Sequence, residues 1–193
     1  MGRKKNYDRD AVLDKAMNLF WRKGYEGAHL QELVDVTGLN RFSLYKEFGG
    51  KEGLYEEAAN RYLAGIQALG AILSREPLGL ANVSDYLQAL IHHDFPYGCF
   101  MVNALTQQEV LNERIQAQVR DFVIHSEKAL LKNLEAAQRN GEIRPGADVG
   151  ALAKALVVFD MGMVTYSLMR PNAQERTRVW AIQRELLNGL RAC

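Results

Sequence analysis

Apolar residues recur at helical spacing along almost the whole chain. After Asp8, a good N-cap, the residues Val12, Ala16, Leu19 and Phe20 fall on one face of a helix. No stretch of useful length shows the alternation of a half-buried strand. The pattern therefore predicts an all-α protein of about nine helices, three short ones followed by mostly long ones.

Glycine, proline and capping residues mark where these helices begin and end. Gly24 is a natural stop for the first helix, and Pro145-Gly146 follows a long one. Asp148 can cap the helix after that break, and Asn172 with Glu175 forms a plausible capping box for the last helix. These signals divide the chain into helices without any internal repeat.

Composition limits the class of protein. Of the 193 residues, 48% are hydrophobic and two are Cys, which excludes a disordered chain and a disulfide-dense secreted scaffold. The formal net charge of +1 gives no overall attraction to nucleic acid. Residues 1–55 hold ten Lys and Arg against eight Asp and Glu, so any anion-binding function requires locally sorted charge.

No segment reads as a signal peptide or a membrane anchor. The basic cluster at the start is not followed by an apolar stretch. The most apolar long window, residues 150–169, contains Lys154 and Asp160, so we expect a helix buried in protein rather than a membrane span. The sequence predicts a cytoplasmic protein without a membrane partner.

The first third of the chain contains two short apolar runs joined by Thr37-Gly38-Leu39-Asn40. Two short helices with a glycine-containing turn, braced by a preceding helix, are typical of a helix-turn-helix. The residues expected to pack against Leu19 and Phe20 are Leu33, Val34, Leu39, Leu44 and Phe48. The polar residues expected on the other face of the second helix are Asn40, Arg41, Ser43 and Lys46, with Phe42 beside them.

This pattern resembles the DNA-binding domain of TetR-family transcriptional regulators over residues 8–54. The matching residues are Ala16-Met17-Asn18-Leu19-Phe20, Gly24-Tyr25, Leu33-Val34, Thr37-Gly38-Leu39, Leu44-Tyr45-Lys46-Glu47-Phe48 and Lys51-Glu52-Gly53-Leu54. The resemblance implies a helix-turn-helix domain over residues 1–54, with a basic arm at 1–7. It also implies a helical ligand-sensing and dimerisation domain over 55–193.

The second short helix is the expected DNA reader, with Asn40 at its start. Arg41 is the best base reader, because a guanidinium can bond a guanine edge in bidentate fashion, and Phe42 could press on a thymine methyl. We expect Ser43, Tyr45 and Lys46 mostly to hold phosphates, which sets register rather than sequence. The alternative is a short surface helix that only packs a bundle.

Two further basic groups could add backbone contacts. Lys51 opens a helix whose N–H groups already favour an anion, and its family counterpart contacts phosphate; the alternative is a solvated lysine. Arg3, Lys4 and Lys5 could add phosphate or minor-groove contacts, or could form a disordered basic tail.

One position departs from the family pattern. The family usually has a hydroxyl residue entering the first short helix of the motif, whereas this chain has Ala28 and His29, neither of which is a good N-cap. This puts one phosphate contact and the local stability of the helix in question. We hypothesise that His29 acts as a phosphate donor when protonated.

Cys99 is the candidate chemical sensor of the second domain. It follows Gly98 near a predicted helix start, where a thiolate is stabilised. Residues 96–103 also resemble a segment of some family branches that respond to electrophiles or oxidants. The alternative is a buried apolar cysteine. His92, His93 and Cys99 lack strong metal-ligand spacing, so we predict no metal site and no cofactor.

Aromatic and thioether residues suit an apolar ligand cavity among the middle helices, although plain core is the alternative for each. The candidates are Phe95, Tyr97, Met101, Phe159 and Met163. The sequence thus predicts a small apolar or aromatic effector, or a thiol-reactive one if Cys99 responds.

The last two helices, about 148–170 and 173–191, carry more apolar residues than one small bundle needs to bury. We therefore predict a homodimer with a four-helix interface, whose two reading helices match a palindromic operator. The resemblance implies a repressor released from DNA by a small molecule. Neither Gly-x-Ser-x-Gly nor Gly-x-Gly-x-x-Gly occurs, which argues against an enzyme. A helical ligand-binding or adaptor protein without specific DNA binding stays the alternative.

Overall fold

The computed structural model describes residues 7–189 and 191, and within them it contains nine α-helices and no strand. The all-α prediction is confirmed. The helices are α1 (Arg9–Gly27), α2 (Leu30–Thr37), α3 (Arg41–Phe48), α4 (Lys51–Ile72), α5 (Leu80–His92), α6 (Phe100–Leu105), α7 (Glu113–Arg139), α8 (Val149–Tyr166) and α9 (Ala173–Asn188). Two 3₁₀ turns lie at Gln108–Val110 and Ser167–Met169.

The chain divides into two compact units. The first comprises residues 1–65 and 100–119, and the second comprises residues 66–99 and 120–193. The first unit therefore includes α6, which lies outside the N-terminal region in sequence. The division of function between residues 1–54 and 55–193 stays a prediction.

Helix α1 begins as expected and breaks where its end was predicted. The Asp8 carboxylate accepts a hydrogen bond from the N–H of Asp10 at 3.0 Å, which confirms the N-cap. Gly24 has a φ of 74° and a ψ of 177°, which is not helical, so the regular helix breaks there as predicted and residues up to Gly27 follow the kink. The N–H of Tyr25, just past the kink, donates to Gln107 Oε1 at 2.8 Å. A residue 82 positions away thus supports the chain at the break.

Aromatic rings fill the middle of the first unit. Tyr55 packs edge-on against Phe20, with ring centroids 4.9 Å apart, and lies 5.0 Å from Phe100. Phe100 stacks on Tyr62 at 5.6 Å. Such pairs add about 0.5–1.5 kcal/mol each beyond the area they bury. Helix α6 therefore supplies a central ring of the same core that holds the N-terminal helices.

A buried amide organises the second unit. Asn133 is fully buried on α7, and its Oδ1 accepts from the N–H of Gly79 at 3.2 Å and from Nδ2 of Asn82 at 3.0 Å. Its Nδ2 donates to the carbonyl oxygens of Leu73 and Ala129. Because a buried amide is costly unless it is bonded, this network fixes the segment between α4 and α5 onto α7.

The predicted caps of the last two helices are confirmed. The Asp148 carboxylate accepts from the N–H of Ala151 at 2.9 Å. Asn172 Oδ1 accepts from the N–H of Glu175, and the Glu175 carboxylate accepts from the N–H of Asn172, both at 2.9 Å. This is a complete capping box.

Helix α8 is buried on one side only. The window Val149–Met169 is long and apolar enough to cross a membrane, with a mean hydropathy of 1.5, and 28% of it is buried. From Lys154 and Asp160 we expected a helix buried within the chain. The structure buries only part of its surface. The exposed part includes Ala155, Val158 and Gly162.

Candidate nucleic-acid interface and ligand cavity

Helix α3 is anchored from behind by the residues that the sequence indicated. Leu44 is fully buried and Phe48 nearly so, together with Leu33 and Leu39 of the preceding helix and turn. Val34, predicted with them, is only half-buried. This packing fixes one face of an eight-residue helix and turns the other face to solvent.

The exposed side of α3, which we call the reading face, consists of Arg41, Phe42, Tyr45 and Lys46. Phe42 is 74% exposed and Tyr45 is 57% exposed, so two aromatic rings lie in solvent beside two cations. In the part of the chain that the structure describes, neither Arg41 nor Lys46 has a carboxylate within 4.0 Å. Exposed rings beside available cations are typical of a binding surface.

Asn40 and Ser43 have different local roles. Asn40 Oδ1 accepts from the N–H of Ser43 at 2.8 Å, so this side chain caps α3. The expected DNA contact by Asn40 is therefore left to its Nδ2 group. Ser43 is half-buried at the edge of the reading face.

Arg9 braces α3 and was missed in the sequence. Its Nε donates to Glu47 Oε1 at 3.2 Å, another guanidinium nitrogen pairs with Glu57, and the group lies 5.1 Å from the ring centroid of Phe48. The hydrogen bond to Glu57 raises the pKa of Arg9 further. Because these side chains are partly exposed, the pairs contribute little stability, but they connect α1, α3 and α4.

Gly53 sets the spacing between α3 and α4. A Cβ atom at this position would lie 1.8 Å from the carbonyl oxygen of Phe48. The linker before it contains Gly49 and Gly50, with φ values of 76° and 106°, which L side chains rarely adopt. The backbone therefore turns sharply behind the reading face, and only glycine fits the contact.

Lys51 begins α4 as expected, but its ammonium is held. Nζ lies 4.6 Å from the ring centroid of Tyr25 and donates to the carbonyl oxygen of Glu26 at 3.4 Å. Burial lowers the pKa of Lys51. Its phosphate contact stays a prediction.

The start of α2 is better capped than the sequence indicated. His29 is the N-cap residue, and its N–H donates to Glu32 Oε2 at 3.3 Å. Lys23 pairs with Glu32, and this hydrogen bond lowers the pKa of the Glu32 carboxyl. A carboxylate one turn into the helix thus supports its start in place of a hydroxyl residue, which corrects the expected weakness. The His29 side chain is exposed. Arg3, Lys4 and Lys5 lie outside the described residues.

A small cavity lies in the second unit between α5, α8 and α9. Phe95, Phe159 and Met163 line it together, as the sequence suggested. Tyr97 is half-buried elsewhere, and Met101 is buried in the first unit, so neither belongs to this cavity. Sequence reasoning missed the lining residues Arg176, Trp180 and Gln183 of the last helix.

Two titratable groups lie apart from the cavity lining. Cys99 directly precedes α6 and is 4% exposed. Asp160 is buried beside Tyr86, and its Oδ1 atom has no hydrogen-bond partner among the residues that the structure describes. Burial raises the pKa of Asp160 to about 7, although the hydrogen bond with Tyr86 acts in the opposite direction. Within residues 7–189 and 191, no three His, Cys, Asp or Glu side chains cluster as metal ligands would.

Comparison with known proteins identifies both parts of the chain. Residues 12–58 match the family described as bacterial regulatory proteins, tetR family. Residues 80–182, more than half of the chain, match the tetracyclin repressor-like C-terminal domain. The chain belongs to the TetR family. The resemblance first drawn from the helix-turn-helix motif is thereby confirmed and extended to the second domain.

Relatives of the TetR family match most of the chain. The HTH-type transcriptional repressor ComR of Escherichia coli (strain K12) is 37% identical over 168 residues, which are 84% of this chain and 80% of ComR. The uncharacterized HTH-type regulator YezE of Bacillus subtilis (strain 168) is 33% identical over 170 residues, covering 81% and 84% of the two chains. The chain is therefore a DNA-binding helix-turn-helix regulator with repressors among its relatives.

A solved structure of a TetR-family regulator has the same fold. A cysteine mutant of CifR, complexed with a 26-bp double-strand operator DNA, aligns with a TM-score of 0.80 and 26% identity. The alignment covers 93% of this chain and 96% of the CifR chain. The DNA in that complex supports a DNA-binding role for the fold.

Proposed function

We propose that this protein is a homodimeric, cytoplasmic repressor that binds a palindromic operator through α3 and leaves it when a small effector binds the second unit. The observation that carries the proposal is the reading face. Its cations lack carboxylate partners among the described residues, and the buried side of α3 is locked in the core. Such a helix can enter a major groove without losing its own packing.

The side chains divide by chemistry into base readers and phosphate binders. Arg41 reads a guanine through two hydrogen bonds, and Phe42 contacts a thymine methyl. The residues proposed to hold the sugar–phosphate backbone are Ser43, Tyr45, Lys46 and Lys51, with Asn40 and His29 at the helix starts and Arg3, Lys4 and Lys5 in the arm.

The proposed dimer interface uses the outward sides of α8 and α9. Val158 and Leu186 are both 68% exposed, and Ile182 is 58% exposed. Trp180 and Leu156, by contrast, face the core of their own subunit. The apolar residues of the last two helices therefore form two groups, one in the core of the subunit and one exposed. A two-fold interface would bury the exposed group.

A small effector held without a covalent bond in the cavity of the second unit fits the structure better than a thiol-reactive one. The cavity of the second unit is lined mainly by apolar side chains. Cys99 is almost fully buried, whereas a reactive thiol needs access to its reagent. A ligand that binds one conformation of the dimer more tightly would shift the protein away from DNA by that difference in affinity.

Fluorescence anisotropy tests DNA binding on duplexes from upstream of the gene and on sequences selected from random DNA, with a scrambled duplex as control. We expect Arg41→Ala to reduce the preference for the operator by about tenfold or more. Lys46→Ala should weaken binding to all duplexes and lower the salt slope by about one. Lys128→Ala, an exposed lysine of α7, is the matched charge control. Absence of any preferred sequence would refute the proposal.

Sedimentation velocity tests the dimer separately. The wild type should sediment as a dimer at micromolar concentration, and Leu186→Glu should shift it to monomer, because it places a carboxylate in an apolar contact. Glu185→Gln, a neighbouring exposed position, should leave the dimer intact. A monomeric wild type would exclude this interface.

A further inference from the structure

The cavity of the second unit has one polar group that no residue of the described part of the chain satisfies. Gln183 on α9 is only 4% exposed, and its Nε2 atom has no hydrogen-bond partner among the described residues. Gln183 lines the cavity. A buried amide N–H without a partner costs about 1–3 kcal/mol, so this donor marks a place where an acceptor atom would be stabilised.

The face of α9 that carries Gln183 also supplies a cation, Arg176, to the cavity. Arg176, Trp180 and Gln183 are spaced i, i+4 and i+7, so they share one face of the helix. Their positions along α9 span about 10 Å, since each residue rises 1.5 Å. Arg176 is partly exposed, whereas Gln183 is buried. This face therefore offers a charged donor on the open side, an aromatic ring, and a neutral donor at depth.

The remaining lining adds no opposing charge. No Asp or Glu lines the cavity. The Ser167 hydroxyl donates to the carbonyl oxygen of Val164 at 2.6 Å, so its proton is already used. Burial lowers the pKa of His93 and so disfavours a second positive charge in the cavity, although Asp94 acts in the opposite direction. The cavity thus presents one positive charge in an apolar surface.

We propose that this cavity binds a compact aromatic monocarboxylate that carries a second oxygen acceptor. The carboxylate pairs with Arg176, the ring packs beside Trp180, and the second oxygen accepts from Gln183 Nε2. This assignment rests on the proposed effector role and names the chemical class of the effector. One charge among apolar groups favours a singly charged carboxylate over a phosphate.

The cavity is smaller than the proposed ligand. Its volume is about 20 Å³, within a cleft whose empty space, open mouth included, is about 390 Å³. The enclosed part of this cavity has room for little more than a water molecule, so a ring enters only when a lining side chain moves. Met163 is half-buried and unbranched, and it can change rotamer without breaking a hydrogen bond.

Trp180 gives a direct readout of binding that needs no DNA. The full-length chain has two tryptophans, so the Trp21→Phe variant isolates the fluorescence of Trp180. We would titrate it with 4-hydroxybenzoate, with the neutral 4-hydroxybenzamide and with benzoate, and confirm each affinity by calorimetry. We expect saturable quenching by 4-hydroxybenzoate. Binding of the amide and of benzoate should each be at least about fivefold weaker, because each lacks one of the two polar contacts.

Variants assign the two ends of the ligand. Arg176→Gln should weaken 4-hydroxybenzoate binding about tenfold or more and abolish its advantage over the amide. Gln183→Leu should make 4-hydroxybenzoate bind no more tightly than benzoate. Arg184→Gln, an exposed arginine of α9 outside the cavity, should change the affinity by less than about twofold.

The alternative results would overturn the proposal. Equal binding of the acid and the amide, an unchanged affinity in Arg176→Gln, or no saturable signal up to millimolar ligand would each exclude a carboxylate site here. Because DNA is absent from this assay, failure of operator binding would leave its outcome unaffected. Ligand binding without any effect on operator affinity would sustain the site and refute only the effector role.

Discussion

Replacing Gly53 by Ala tests whether the contact between α3 and α4 holds the reading face in place. The added Cβ atom would lie 1.8 Å from the carbonyl oxygen of Phe48, and such contacts below 3.0 Å are not tolerated, so the two backbones must separate by at least about 1.2 Å. The obstacle is a backbone atom, which cannot rotate away. Overpacking of this kind costs typically about 1–3 kcal/mol.

A second glycine on the same helix provides the matched control. Gly65 is exposed, and a Cβ atom there would meet nothing within 4 Å. Gly65→Ala should therefore stabilise the protein by about 0.5–1 kcal/mol through helix propensity alone. Gly53→Ala gains the same helix propensity, but the overlap with the Phe48 carbonyl oxygen costs more than this gain. We therefore expect a net destabilisation of about 1–2 kcal/mol. For a chain of this size, that lowers the melting temperature by roughly 2–8 °C.

Thermal unfolding and operator binding should be measured on both variants under identical conditions. Gly53→Ala should also bind the operator more weakly at temperatures where it is fully folded, because α3 is displaced from its support. Gly65→Ala should bind as the wild type does. If Gly53→Ala melts at or above the wild-type temperature and binds the operator normally, the close approach of Gly53 to the carbonyl oxygen of Phe48 does not exist.

For three further substitutions, the structure predicts whether the free energy of unfolding rises or falls. Asp160→Asn should raise the free energy of unfolding at pH 8 by up to about 4 kcal/mol and have little effect below pH 4. The reason is that burial raises the pKa of Asp160 in the folded state from 3.8 to about 7, so that ionisation above that pH destabilises only the folded state. Urea unfolding at pH 4, 6 and 8 checks this prediction, and a gain in stability that does not depend on pH would contradict it. Gln107→Ala removes the acceptor of the Tyr25 N–H and should cost about 1–2 kcal/mol, with faster hydrogen exchange at that amide, whereas Gln108→Ala should be nearly neutral. Asn133→Leu leaves several buried backbone groups unpaired and should cost at least about 3 kcal/mol in chemical denaturation; a change below 1 kcal/mol would mean that water replaces the amide.

The parts of the fold that depend on local patterns could be predicted from the sequence. Helix periodicity gave the all-α class, and Asp8, Asp148 and Asn172 cap the helices that their side chains indicated. The exposure of Phe42 follows from the same spacing that buries Leu44, because a short helix with one anchored side must present the other.

Contacts between distant residues could not be predicted in this way. Local rules predict the break at Gly24, but they do not show that the side chain of Gln107 accepts from the Tyr25 N–H just past it. Arg9 looked like an ordinary residue of the first turn, yet it joins two carboxylates from other helices. Met101 stands near Phe95 in sequence, but the boundary between the two units falls between them. Each of these outcomes depends on tertiary packing, which a single sequence does not encode in any short spacing.

The placement of α6 in the first unit has a practical consequence for anyone who wishes to transplant the operator specificity of this regulator. Chimeric regulators are commonly imagined as an N-terminal module exchanged at one junction. Here residues 1–65 alone would lack Phe100, whose ring contacts both Tyr55 and Tyr62, and would leave the Tyr25 N–H without Gln107. A functional graft must carry two separate stretches, 1–65 and 100–119, so recombination at a single point would deliver the residues proposed to contact DNA without the core that orients them.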